Sequence, residues 1–155
     1  MKKSLVFSIS LIITAILLSI TLSSKTFAQS TTEVGKLYTK ANADQLYGKV
    51  IESVAIDSKL LKKIVDNAGK YVMFYFKNGK LKIFNEKRSE IYPNEGATVD
   101  SNEPLRLFSA SKVNELLSSG KSDVTTVEIR QDVLTVTSGM TTLEFAILCP
   151  PNCIW

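Results

Sequence analysis

The chain has no histidine among its 155 residues, only two cysteines and a single tryptophan. Without histidine there can be no Ser-His-Asp or Cys-His constellation, no c-type haem attachment, and no imidazole to act as general base or metal ligand. The seven glycines form no phosphate-cradling loop. Serines and lysines are scattered, with no spacing that marks a Ser-Lys dyad. Glu86, Glu90 and Glu95 lie close enough in sequence to suggest paired carboxylates of a glycoside hydrolase, but carboxylates in a turn-rich stretch are ordinarily just solvated. No catalytic residue, metal set or cofactor is assigned.

Long apolar runs are also scarce, with one exception at the start. Lys2 and Lys3 precede Leu5 to Leu22, 18 residues relieved only by Ser and Thr. A short polar stretch then ends in Thr26-Phe27-Ala28. This order predicts a signal peptide over 1–28, cleaved after Ala28, with no stable membrane insertion afterwards. An uncleaved anchor is the alternative, since the run approaches the length of a membrane span. No cysteine lies near Ala28, which argues against a lipoprotein. The expected location is exported, either periplasmic or extracellular.

Excess charge is missing too. Of the 19 basic residues, Lys2, Lys3 and Lys25 belong to the leader, so 16 face 15 acidic ones afterwards. With neither a basic face nor a recognition motif, nucleic acid is not an expected partner. The halves do differ: 29–92 carries 12 basic and 7 acidic residues, 93–155 carries 4 and 8. Mutual attraction of two halves of one domain is the expected reading, and head-to-tail association or an anionic partner for the first half is the alternative.

What remains suits one α+β domain over 49–148, between an arm at 29–48 and a tail at 149–155. The arm is polar and weakly patterned. Val50 to Ile56 reads as a strand, and Asp57 or Ser58 caps a helix whose Leu60, Leu61, Ile64 and Val65 share a face. Asn67 and Gly69 end it. Tyr71 to Lys77 and Lys80 to Phe84 flank Asn78-Gly79, the strongest short-range hairpin signal. Ser89 to Tyr92 adds a short strand. The same order recurs: Leu105 to Phe108, a helix with Val113, Leu116 and Leu117 closed by Gly120, then Val124 to Arg130, Val133 to Thr137 and Met140 to Leu148. The predicted fold is therefore two β-α-β-β-β units, pseudo-repeats 49–92 and 104–148, with antiparallel sheet and two amphipathic helices. Internal duplication explains the recurrence; chance resemblance of two ordinary stretches is the alternative.

Alternation assigns faces. In the second unit Val127, Ile129, Leu134, Val136, Leu143, Phe145 and Ile147 are expected inside. Thr126, Glu128, Arg130, Thr135, Thr137, Thr142 and Glu144 are expected to face water. In the first unit Val72, Phe74, Phe76, Leu81 and Ile83 match the inner set. Its outer set is Tyr71, Met73, Tyr75 and Phe84, rimmed by Lys77, Lys80 and Lys82. An aromatic and methionine patch with a lysine rim is the composition of a partner-binding face. Cover by the chain itself, or by a second copy, would also account for it.

Cys149-Pro150-Pro151-Asn152-Cys153 is expected to close a disulfide between Cys149 and Cys153, stiffening a tail that presents Ile154 and Trp155. The leading functional expectation is a small exported non-enzymatic binding module. It would take a protein, a polymer or its own copy through Tyr71, Met73, Tyr75, Phe84, Lys82 and Trp155. The alternative is a Cys-x3-Cys protein of thiol redox or Cu(I) handling.

Overall fold

A computed structural model of the chain describes residues 33–149 except Glu95 and Phe145. The leader, Cys153 and Trp155 lie outside the described residues. Alternation and turn residues give ten strands: β1 Lys36–Thr39, β2 Glu52–Asp57, β3 Tyr71–Lys77, β4 Lys80–Asn85, β5 Glu90–Tyr92, β6 Leu105–Ser109, β7 Val124–Arg130, β8 Val133–Ser138, β9 Thr141–Glu144 and β10 Ile147–Cys149. Three helices join them: α1 Lys40–Tyr47, α2 Ser58–Asp66 and α3 Ala110–Gly120. The fold is α+β and mostly strand, with two antiparallel five-stranded sheets. The first runs β1-β9-β8-β7-β2 and the second β10-β6-β3-β4-β5.

Local chemistry explains most of these elements. Asn78 and Gly79 take φ of 52° and 71°, as a type I′ turn requires, and pair Lys77 with Lys80. Asp57 caps α2 by accepting the Leu60 N–H at 2.8 Å. The buried stripe Leu61, Ile64 and Val65 turns inward with Val113 and Leu116 of α3. There they meet Ile56, Val127, Leu134, Val136 and Leu143 of the first sheet and Val72, Phe74, Leu81, Ile83 and Phe108 of the second. Each such side chain contributes roughly 1.5–3 kcal/mol by leaving water. Phe74 and Phe108 meet edge to face with centroids 5.8 Å apart.

Two expectations are corrected. The weakly patterned stretch before Gly48 holds β1, paired with β9 from Lys36↔Glu144 to Thr39↔Thr141, and then α1. The expected run from Met140 to Leu148 divides: β9 belongs to the first sheet, while β10 crosses to the second and pairs with β6. Ile147 therefore leaves the core of the first sheet for the outer cluster of the second, and Cys149 is buried in a strand.

The face expected to be wet is buried as well. Glu128, Arg130, Thr135, Thr137, Thr142 and Glu144 are all buried, because α1 lies across them. Arg130, fully enclosed, donates to the Glu128 carboxylate through Nη2 at 2.8 Å and Nε at 3.1 Å. Its Nη1 reaches the Asp44 carboxylate on α1 and the Gly48 carbonyl. Thr126 donates to Oε1 of Glu128, and Thr135 and Thr137 to Oε2. Burial works against the Arg130 charge, and the hydrogen bonds it donates to Asp44 and Glu128 outweigh it, holding its pKa above the ordinary arginine value. Burial, followed by hydrogen bonds to Tyr38 and Glu144, holds the Tyr47 hydroxyl protonated well above the usual tyrosine range. Charge pairing thus lets a polar helix seal a polar face without a hydrophobic stripe.

Candidate functional site

Outward residues of the second sheet build the site. Strand register places Met73 beside Phe84 and Tyr75 beside Lys82. Tyr71, Met73 and Phe84, expected as an open partner face, are at most 5 % exposed. Val34 and Val99 pack over them with Leu105, Leu107 and Cys149. The chain supplies this cover itself, since so much contiguous apolar surface is poorly tolerated in water. Tyr75 and Lys82 remain half-buried.

Val99 belongs to the connection from β5 to β6, which folds back along β5. Glu90 N–H donates to the Ala97 carbonyl at 2.8 Å, Gly96 N–H donates to the Glu90 carbonyl at 2.9 Å, and Ser89 bridges Thr98. Arg88 fixes the far end. Its Nη2 donates to the carbonyls of Asp100 at 2.9 Å and Glu103 at 2.7 Å, and its Nη1 to that of Cys149 at 3.2 Å. One guanidinium thereby ties this connection to the last described strand.

Between connection and sheet lies a cleft of about 270 Å³, lined by Tyr75, Lys82, Phe84, Glu90, Ala97, Thr98, Val99 and Glu103. At its floor is Glu90, 1 % exposed, which accepts from Lys82 Nζ at 2.9 Å and from the Asn94 N–H at 3.1 Å. A buried carboxylate with both a cation and an N–H donor is adequately paired. A second cleft of about 260 Å³ adjoins it, sharing Tyr75 and Glu103 and adding Phe74, Phe76, Lys77, Pro104, Arg106, Ile129, Leu134 and Leu148. Tyr75 and Glu103 form the divide between the two, the first also lined by Lys82 and Glu90 and the second by Lys77 and Arg106.

The remaining sequence candidates go elsewhere. Glu86 accepts the Lys70 N–H at 2.9 Å, closing the turn after α2, so it serves a different place from Glu90. Glu95, Cys153 and Trp155 lie outside the described residues. Among the described residues, no three His, Cys, Asp or Glu side chains gather in a way that could hold a metal ion. Glu103 and Arg88 were not singled out by sequence, because neither falls in a periodic element and nothing local marks a residue that binds distant carbonyls.

Comparison with protein-family models gives no match, and comparison with curated proteins gives none.

Proposed function

We propose that this chain is a small exported binding module, non-enzymatic, whose ligand enters the cleft between the second sheet and the β5–β6 connection. The observation that carries this reading is a concavity with an aromatic wall, a buried ion pair at its floor and a lid segment pinned by Arg88. Clefts with apolar walls and a few fixed polar groups are the usual form of a ligand site. The site keeps Tyr75, Phe84 and Lys82 of the aromatic surface and gives up Tyr71 and Met73, which the fold uses for packing. The rival reading, thiol redox or Cu(I) handling at Cys149 and Cys153, gains nothing from Cys149, which is 0 % exposed.

The test is capture on immobilised mature protein from envelope and secreted fractions. Thr98→Trp fills the cleft from an exposed rim position. A partner held by the native protein and released by this variant, at unchanged melting temperature, is the expected result. Equal capture by both would move the interaction elsewhere.

We also infer that the two halves descend from one duplicated unit that has exchanged its leading strand. In support, Asp57 and Ser109 occupy the same place before α2 and α3, pairing with Val124 and Tyr71 at the starts of β7 and β3. The hairpins close on corresponding pairs, Lys77↔Lys80 and Arg130↔Val133. Each leading strand, β2 or β6, joins the other half's three-stranded meander.

A further inference from the structure

We propose that β2 is a docking edge for a second copy of this chain, the two strands running antiparallel and joining two five-stranded sheets into one. Strand β2 closes one side of the first sheet, and β7 is the strand it pairs with. The other outer strands are shorter: β1 has four residues, β5 and β10 three each. Natural edges are commonly blunted by brevity, proline or lysine, and β2, six residues reading Glu-Ser-Val-Ala-Ile-Asp, has none of these.

Register decides which backbone groups the edge offers. The Ser58 N–H donates to the Asp123 carbonyl at 2.9 Å, continuing the β2–β7 pairing by one step. Antiparallel alternation therefore turns the N–H and C=O of Glu52, Val54 and Ile56 toward β7. Those of Ser53 and Ala55, and the Asp57 N–H, turn away from it. Among the described residues nothing receives these outward groups. Ser53 and Ala55 are exposed, and both are small enough to let another backbone approach.

The ends of the strand choose the occupant. Val50 and Ile51 stand exposed just before it, and Leu60 and Val124 at its far end, Val124 opposite Asp57. The other large apolar residues exposed among the described ones, Leu46 and Met140, lie on α1 and in the β8–β9 turn. A copy related by a two-fold axis lays its start against this end and its end against this start, so both apolar pairs are covered at once. With the axis at Ala55, that residue meets the partner's Ala55 through both backbone groups, and the Asp57 N–H meets the partner's Ser53 carbonyl. Val54 then lies opposite the partner's Ile56, extending the apolar inner face, and Val50 and Ile51 reach the end where the partner's Leu60 stands. A foreign strand could share the hydrogen bonds, but nothing would match it to both ends.

The experiment is sedimentation velocity of the full mature chain from about 1 μM to about 1 mM, with hydrogen exchange read at single amides. A reversible monomer–dimer equilibrium is expected. The Ala55 and Asp57 amides, open in the monomer, should become protected as dimer forms, while those of Val54 and Ile56 are protected throughout. Ala55→Lys sets two ammonium groups against each other at the axis and should weaken the dimer by about tenfold or more. Ile51→Lys, at an exposed position outside the strand, should weaken it as well and decides the matter if Ala55→Lys fails to fold. A chain that stays monomeric throughout overturns the inference, as does a dimer that leaves the Ala55 amide open or survives the substitutions. Protection of Ala55 only after other exported proteins are added would give the edge to a foreign strand, and overturns the second copy.

Discussion

Gly120 and Lys121, neighbours at the end of α3, are expected to respond to substitution in opposite directions. A Cβ on Gly120 would overlap the Ser138 carbonyl and side chain, where α3 docks on the β8–β9 turn. Gly120→Ala should therefore destabilise the protein by roughly 1–3 kcal/mol, as overpacking does. Lys121 is exposed and held left-handed at φ 49° and ψ 35°, a conformation that strains a side-chain-bearing residue by about 1–2 kcal/mol. Lys121→Gly should raise the melting temperature. Arg130 gives a harsher case. Arg130→Met strands the buried Glu128 carboxylate, and unfolding by denaturant should show a loss of about 3–5 kcal/mol. That pair also marks where sequence reading fails. Glu128, Thr135 and Thr137 look like a solvated face because a binary pattern cannot distinguish a polar residue in water from one inside a complete hydrogen-bond network.

Among elements, the Asn78-Gly79 hairpin and helices α2 and α3 were legible, since turn chemistry and the 3.6-residue period are local properties. Helix α1 was not. Ala43 is its one buried residue, because the surface beneath it is polar and asks for Asp44 and Tyr47 in place of leucines. Its attachment should consequently depend on pH. Hydrogen bonds from Arg130 and then Lys40 hold the Asp44 pKa below the ordinary aspartate value. A carboxylate lowered on folding adds stability above its unfolded value, and that contribution disappears as pH falls through the lowered folded one. Melting temperature should fall through the acid range, and Asp44→Asn should start lower at neutral pH and fall less steeply. On the alkaline side Tyr47, held protonated in the fold, gives the opposite sign: its contribution is lost as pH rises beyond the usual tyrosine range. Tyr47→Phe should remove that limb.

For the whole molecule, the α+β class was legible from alternating strand and helix patterns, but the partnership of the strands was not. Periodicity fixes which face of β2 or β6 is apolar and says nothing about which sheet receives it. The candidate site was legible only in its walls: Tyr75, Phe84 and Lys82 stand out by contrast with the second half, whereas Glu103 joins them through a connection without a period. The expected export has a direct check in intact mass. Secreted or envelope material should begin at Gln29 and run two hydrogens light, from a Cys149–Cys153 bond, and a mass retaining Met1 to Ala28 would indicate an anchor. Strand exchange also constrains the order in which the molecule can be completed as it emerges, amino end first, from a ribosome or a translocation pore. β2 must wait for β7, and β1 for Lys36 to meet Glu144, almost the whole described chain later. Until those last strands arrive, the first sheet lacks its central members and α1 has nothing to seal. A chain stalled short of β7 would present unsatisfied strand edges to its neighbours, so its early life depends on whatever keeps an incomplete polypeptide soluble.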